Sequence, residues 1–159
     1  MEDTIIFRLA TEHDLPALAD LRWRLQTDDR PVSDRANYDR FVQEFVHLGT
    51  SEPRTNELFH WVATAEGHIV GAMSVILVRK VPSPRELNGR WGYLTNCYVL
   101  PDLRNQGVGE SLLARIKSWA TELELELLVV WPSDRAYPFY GRAGYLRRPD
   151  PLVLEITPS

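Results

Sequence analysis

The stretch Val99-Leu-Pro-Asp-Leu-Arg-Asn-Gln-Gly-Val-Gly109 joins two segments whose apolar residues follow different periods. Residues 91–100 are rich in aromatic and β-branched side chains, and they predict a strand that Pro101 stops. From residue 107 onward the apolar side chains return with helical spacing, which predicts a helix. The apolar side of that helix is formed by Leu112, Leu113, Ile116, Trp119, Ala120 and Leu123.

Two glycines at the start of the predicted helix, Gly107 and Gly109, favour an anion-binding site. The first turn of a helix has unpaired N–H groups and the positive end of the helix dipole, and glycine lets a phosphate approach the backbone closely. Arg104 adds a positive charge that suits a pyrophosphate. A glycine-rich helix entrance that binds nothing is the alternative, because a G-x-G pattern is weak on its own.

Two other nucleotide-binding motifs fit this stretch poorly. A P-loop needs Lys followed by Ser or Thr after its last glycine, and the chain has Glu110-Ser111 there. A dinucleotide-binding turn needs a third glycine at position 112, which is Leu.

The rest of the chain predicts short strands and helices of a mixed α/β (α+β) fold, in the order β-α-α-β-β-β-α-β-α-β-β. No repeat or linker divides it, so residues 1–159 are predicted to form one domain. Besides the two elements above, the predicted elements are a strand at 5–9, a helix begun by a Thr11–Asp14 capping signal, a helix capped by Ser33 or Asp34 and stopped by Gly49, strands at 58–65 and 69–78, a loop at 81–90, a strand at 125–131, a short helix at 134–143 and a closing hairpin over 146–156.

Composition excludes several classes of function. A net charge of −4, a pI of about 5.6 and well-mixed charges argue against a nucleic-acid partner, which needs a basic face. Cys97 is the only cysteine, so an internal disulfide or a cysteine metal cluster is excluded. The N-terminus lacks a signal-peptide profile and no segment has the length of a membrane span, so we expect a cytoplasmic protein without a membrane partner.

Two motifs carry a resemblance to a known family. Arg104-Asn-Gln-Gly107-Val-Gly109 resembles the Q/R-x-x-G-x-G/A signature of the GNAT (Gcn5-related N-acetyltransferase) family. Further along, Ala136-Tyr-Pro-Phe139-Tyr140-Gly-Arg-Ala-Gly144-Tyr145 is similar to the family's A-x-x-F/L-Y-x-x-x-G-F segment, and the order of elements also matches. The resemblance implies a single-domain GNAT-like fold, with a mixed, mostly antiparallel sheet splayed between strands 91–100 and 125–131 and flanked by helices.

The same resemblance implies an N-acetyltransferase that uses acetyl-coenzyme A as acyl donor and no metal. In such enzymes the splayed strand pairs with the pantetheine arm, and the amides after it hold the pyrophosphate. Ser133 matches a position that often contacts the cofactor, although a helix cap explains it equally well. The implied cofactor-binding residues are Cys97, Tyr98, Val99, Arg104, Asn105, Gln106, Gly107, Val108, Gly109 and Ser133.

Tyr140 matches the tyrosine that commonly acts as general acid in this family. A phenol can give a proton to the thiolate that leaves when an amine attacks a thioester. The alternative is an aromatic side chain that packs between helix and sheet, as Phe139 would.

The base that takes the proton of the amine stays unassigned. Strand 91–100 has no carboxylate, and position 128, where some relatives carry Glu, is Leu. A water relay, Tyr93 or a carboxylate of the Asp28-Asp29 loop could serve, and the same carboxylates could attract a cationic acceptor. The acceptor itself stays open among small amines, antibiotic amines and protein N-termini or lysines, and the acyl group could be longer than acetyl.

Some features are compatible with other roles. A non-catalytic acyl-coenzyme A sensor or regulatory module is the alternative function, because the strand carboxylate is missing. Cys97 is best explained as a small buried strand residue, and the histidines show no metal spacing. Trp23 could line the acceptor site, and exposed strand edges near the C-terminal hairpin are compatible with a homodimer.

Overall fold

The computed structural model describes residues 4–28, 34–51 and 57–156, which fold around one five-stranded sheet. The strands are β1 (Ile6–Leu9), β2 (Leu58–Ala65), β3 (His68–Arg79), β4 (Arg90–Val99) and β5 (Leu128–Val130), and the helices are α1 (Leu15–Thr27), α2 (Arg35–Thr50), α3 (Val108–Glu122) and α4 (Tyr137–Arg142). Short 3₁₀ turns at Glu12–Asp14, Pro101–Leu103 and Asp134–Ala136 lead into α1, precede α3 and lead into α4.

The sheet is mixed and mostly antiparallel, as predicted. Its strand order is β1-β2-β3-β4-β5; the first three pairs are antiparallel and β5 is parallel to β4. Parallel pairing covers only Gly92–Leu128, Tyr93–Val129 and Leu94–Val130. β4 continues to Val99 without β5 beside it, so the sheet opens into a gap between these two strands. The predicted splay between strands 91–100 and 125–131 is therefore confirmed.

The helices cover the two faces of the sheet, each over its own apolar cluster. On one face Leu112 and Ile116 of α3 pack against Val75 and Leu94, in a cluster that also contains Tyr140. On the other face α1 packs against Val62, Ala72 and Tyr98 through Leu15, Leu18 and Leu21. The period of the apolar residues in α1 and α3 places them on one side, which explains why each helix buries that side.

The helix start signals lie where the sequence places them. Thr11 and Asp14 form a capping box, in which the Thr11 N–H donates to Asp14 Oδ2 at 2.7 Å. Asp34 caps α2 by accepting from the Ala36 N–H at 3.0 Å, while Ser33 lies outside the described residues. Gly49 was predicted to stop α2, and this is wrong because the helix runs to Thr50. An added Cβ at Gly49 would lie 2.8 Å from the Leu15 side chain, so this glycine lets α2 pack closely on α1.

Two predictions about the C-terminal part need correction. The strand predicted over 125–131 is only three residues long, Leu128–Val130. The predicted hairpin over 146–156 is wrong, since no strand forms there, and Leu152 is fully exposed. Pro149 and Pro151 each lack an N–H group, which removes two donors from any ladder at the turn.

None of the helices within residues 4–28, 34–51 and 57–156 combines enough length with enough apolar character to cross a bilayer.

Candidate functional site

The entrance of α3 contains two residues in the left-handed backbone conformation. Gly107 is left-handed, with a φ of 82°, and directly precedes the helix, and Asn105 is also left-handed, with a φ of 60°. The Ser111 N–H donates to the Gly107 carbonyl at 3.0 Å, and this hydrogen bond belongs to the start of the helix. The N–H groups of residues 108 to 110 precede this donor, so they belong to the first turn, where donors lack helical partners. This entrance can bind an anion.

The second motif packs directly on this entrance. An added Cβ at Gly109 would lie 3.0 Å from the Phe139 ring, so a larger residue would push α4 away from α3. Phe139 lies 5.0 Å, centroid to centroid, from the ring of Tyr140. Gly109 therefore allows the two motifs to pack against each other as well as allowing an anion to approach. This packing brings Tyr140 to the end of the sheet at which α3 begins.

The backbone of β4 directs some of its polar groups away from β3 and toward the gap. The Leu100 N–H donates to the Val70 carbonyl at 2.9 Å, and Tyr98 is paired with Ala72 of β3. Because polar groups alternate sides along a strand, those of Cys97 and Val99 point away from β3 and toward the gap. Residues 97 and 99 thus present main chain to a ligand in the gap, whereas the main chain of Tyr98 is directed to β3.

Arg104 and Gln106 both have partners within the protein. Arg104 Nε donates to the Val99 carbonyl at 2.9 Å, and its guanidinium lies 5.2 Å from the centroid of the Tyr98 ring. Gln106 Nε2 donates to the Asp102 carbonyl at 2.8 Å. Arg104 therefore occupies one acceptor on the gap side of β4 and ties the loop to the strand.

Tyr140 lies in the cluster on the α3 face and is only 6% exposed. It shares this cluster with the Cys97 side chain, and its ring lies 5.5 Å from the ring of Tyr145. Tyr145 was not singled out by sequence reasoning as a functional residue, although it closes the second motif. Cys97, Tyr140 and Tyr145 thus form a group of ionisable side chains beside the gap.

All three side chains are held in their neutral form. Burial, followed by the contact with Cys97, raises the pKa of Tyr140 well above the usual value for a phenol. Burial raises the pKa of Cys97 to about 11, and burial together with Cys97 raises that of Tyr145 to about 12. At neutral pH the Cys97 thiol is therefore not a nucleophile, while Tyr140 retains a proton that it can donate.

The other residues considered for the site, Ser133, Asp28 and Trp23, differ in exposure and in their contacts within the protein. Ser133 is exposed, and its side chain makes no capping hydrogen bond to the turn that follows. Asp28 accepts a hydrogen bond from the Tyr98 hydroxyl at 2.8 Å, while Asp29 lies outside the described residues. Trp23 packs between Tyr38 and Phe41 and so belongs to the contact between α1 and α2.

A buried polar group that sequence reasoning missed crosses three strands. Asn96 Nδ2 donates to Ser74 Oγ at 3.1 Å, and Ser74 Oγ lies 2.6 Å from His60 Nδ1. Burial lowers the pKa of His60 to about 4, so its ring is neutral at pH 7. The sequence carries no signal for this group because the three residues are brought together only by strand register. Among the described residues no cluster of His, Cys, Asp and Glu is arranged to hold a metal ion.

A mixed sheet that opens beside a glycine-containing helix entrance is the arrangement of acetyltransferase folds. A predicted acetyltransferase from Clostridium acetobutylicum, solved with acetyl-CoA, has a TM-score of 0.76 at 22% identity, with 96% of this chain and 97% of that chain covered. A GCN5-related N-acetyltransferase from Ralstonia eutropha has a TM-score of 0.75 at 19% identity, with 97% and 100% covered. An aminoglycoside acetyltransferase from an uncultured soil metagenomic sample, in complex with trehalose, has a TM-score of 0.71 at 19% identity, with 98% and 97% covered. At these identities the likeness shows the fold.

The chain belongs to the Acetyltransferase (GNAT) family, since the sequence model of that family matches residues 15–145. A search of curated proteins finds no match. The resemblance drawn from the two motifs is therefore confirmed at the level of family and fold.

Proposed function

We propose that this protein transfers an acetyl group from acetyl-coenzyme A to an amine by direct attack of the amine on the thioester. The observation that carries the proposal is the neutral, buried phenol of Tyr140, placed beside the gap in the sheet and next to the α3 entrance. The Clostridium acetobutylicum protein, which shares this fold, was solved with acetyl-CoA.

The donor would lie across the gap and the helix entrance. The left-handed Gly107 and the first-turn amides of α3 would hold its pyrophosphate, and residues 104 to 106 would line the same loop. Cys97 and Val99 would offer main-chain groups to the amide-bearing arm, which would pair with β4 as an added strand. The Val99 carbonyl already accepts from Arg104, so the arm would use the remaining groups. Ser133 is free to contact the donor from the far side of the gap.

Tyr140 would act as general acid in the transfer. The amine nitrogen bonds to the thioester carbonyl carbon, the carbon–sulfur bond breaks, and the Tyr140 hydroxyl gives its proton to the departing thiolate. Because the ordinary pKa of a phenol is about 10 and that of Tyr140 is raised further, this proton is present over the whole neutral range. A proton must also leave the amine, and Asp28 is a carboxylate that the structure ties to β4 through Tyr98.

The acceptor class we propose is a small-molecule or peptide amine. Among the similar structures are an aminoglycoside acetyltransferase and a glucosamine-6-phosphate N-acetyltransferase from Arabidopsis thaliana, and both names describe transfer to small molecules. The carboxylate of Asp28 would favour a cationic amine approaching the α1 side of β4. An α-amino group would need less help from a base than an alkylamine, because its pKa is lower, about 7.7–8.0.

We also propose that all 159 residues form one cytoplasmic domain that assembles as a homodimer through its C-terminal segment. Leu152, Val153, Leu154 and Ile156 are all at least 71% exposed, which is unusual for neighbouring apolar residues. The free edge of β5 has no partner strand among the described residues, and such an edge favours pairing with another chain. Sedimentation that shows only monomers at every concentration would refute the dimer.

The experiment that tests the function combines binding and turnover. Calorimetric titration with acetyl-coenzyme A should show binding, and a panel of amines with thiol detection should reveal turnover with at least one acceptor. Tight binding without thiol release from any amine would instead favour an acyl-coenzyme A sensor. Absence of binding would reject both.

A further inference from the structure

The chain of hydrogen bonds from Asn96 through Ser74 to His60 lies on the sheet face that α1 and α2 cover. Ser74 is 2% exposed, and His60 stacks on Phe45 of α2 with 5.6 Å between ring centroids. Ser74 Oγ accepts from Asn96 Nδ2 and also bonds to His60 Nδ1, so this one hydroxyl joins the side chains of β2 and β4. The neutral His60 ring can accept or donate in this bond, according to which ring nitrogen carries the proton.

One end of this chain coincides with a bulge in β4. Ser74 pairs with Thr95 and Ala72 pairs with Tyr98, so Asn96 and Cys97 together stand opposite the one residue between Ser74 and Ala72. Asn96 adopts a left-handed conformation with a φ of 55°, which asparagine tolerates better than most residues. The hydrogen bond to Ser74 therefore fixes a backbone conformation that most strand residues would avoid.

The bulge lies just where the gap begins. The last pair between β4 and β5 is Leu94–Val130, two residues before Asn96. The Leu94 side chain and the Cys97 side chain both pack in the cluster on the α3 face, although an unbroken strand would place residues three apart on opposite faces. The bulge thus turns Cys97 toward Tyr140 and its main chain toward the gap.

The amide of Asn96 also has an unpaired end. Asn96 Oδ1 is buried and has no hydrogen-bond partner among the described residues. A buried acceptor without a partner is costly, and native proteins keep few of them outside functional regions. The bulge therefore carries a local energetic cost, at the point where the thioester would lie.

We propose that Asn96, Ser74 and His60 are positioning residues, which hold the β4 bulge so that the main chain of Cys97 is aligned with the reacting thioester. The inference rests on the proposed function and adds residues that position the thioester end of the donor, separately from those that bind its phosphates. The α3 entrance binds the phosphates independently, so loss of the chain should affect turnover far more than donor binding.

The test is Ser74→Ala, which removes the hydroxyl that joins the other two side chains. We expect kcat to fall about tenfold, the equivalent of about 1.4 kcal/mol, with the Kd of acetyl-coenzyme A unchanged within about twofold. The matched control is Thr64→Val, which removes another buried strand hydroxyl, whose bond to the Ile6 carbonyl is 3.4 Å long. Thr64→Val should lower the thermal midpoint about as much as Ser74→Ala does, and it should leave kcat as in the wild type.

Two further variants separate this role from simple stabilisation. Asn96→Gly keeps the freedom to adopt a positive φ but removes the amide, and it should lose kcat as Ser74→Ala does. His60→Phe keeps a ring on Phe45 but removes Nδ1, the atom that bonds to Ser74 Oγ, and it should also lower kcat. If Ser74→Ala does not fold, the kcat of His60→Phe tests the positioning role in its place. If the wild type is active and the kcat of these variants stays within about twofold of it, the positioning role is refuted. If the wild type itself shows no turnover, the proposed function is refuted.

Discussion

Replacing Tyr140 by Phe removes a single oxygen from the centre of the site. The ring would keep its contacts, because it is 6% exposed and lies 5.0 Å from Phe139 and 5.5 Å from Tyr145. Removing one hydroxyl costs at most about one hydrogen bond, which lowers the free energy of unfolding by about 1 kcal/mol. The variant should therefore fold.

The effect on the reaction should be much larger than the effect on stability. A positioned general acid contributes about 10²–10⁴ in rate, so we expect Tyr140→Phe to lower kcat at least about 100-fold, or about 2.7 kcal/mol in activation free energy. The Kd of acetyl-coenzyme A should stay within about twofold, because the phosphates are held at α3 and not at the phenol.

Thiol release at saturating donor and acceptor measures kcat, and calorimetry measures the Kd. The control is Tyr137→Phe, since Tyr137 is 37% exposed and its ring is covered by Arg147 at 4.0 Å, away from Cys97. In the wild type the raised pKa of Tyr140 means that kcat should show no loss of the acid even as the pH reaches about 10, the usual pKa of a phenol. A Tyr140→Phe protein that turns over like Tyr137→Phe would refute the acid role.

Three other predictions concern the anion site and stability. Gly107→Ala places a side chain at a φ of 82°, which costs about 1–2 kcal/mol, so both the thermal midpoint and the affinity for acetyl-coenzyme A should fall. Unchanged affinity in calorimetry would contradict phosphate binding at the α3 entrance. Asp14 has its pKa lowered to about 2, mainly by the hydrogen bond from Arg8, so its stabilisation is complete above an unfolded value of about 3.9 and is lost as pH falls through about 2. Urea unfolding should show Asp14→Asn to be destabilised at pH 7 and nearly equal to the wild type at pH 2. His60 has its pKa lowered to about 4 by burial, so its neutral form stabilises the fold above about pH 6.5 and this stabilisation is lost between there and about pH 4; His60→Phe should flatten that part of the stability profile, and an unchanged profile would contradict a buried neutral ring.

The sequence by itself determined the features that depend on near neighbours along the chain. The strand that ends before Pro101, the helix that begins after Gly107 and the apolar side of α3 all follow from local preferences and from the helical period. The two motifs and the order of elements determined the family and the splayed sheet in the same way. Tyr140 was identified by its place in the second motif, but its raised pKa depends on burial and on Cys97, which the motif does not contain.

Tertiary structure alone decided the features that depend on register between strands. Asn96, Ser74 and His60 are far apart in sequence, and they meet because a bulge shifts β4 against β3. Gly49 was predicted to stop α2, and residues 146–156 were predicted to form a hairpin. Both predictions were wrong, because the contact of Gly49 with Leu15 and the lack of a strand over 146–156 are properties of the packed chain. Periodicity reports which side of an element is apolar, whereas the partner that covers this side is chosen by contacts between distant segments.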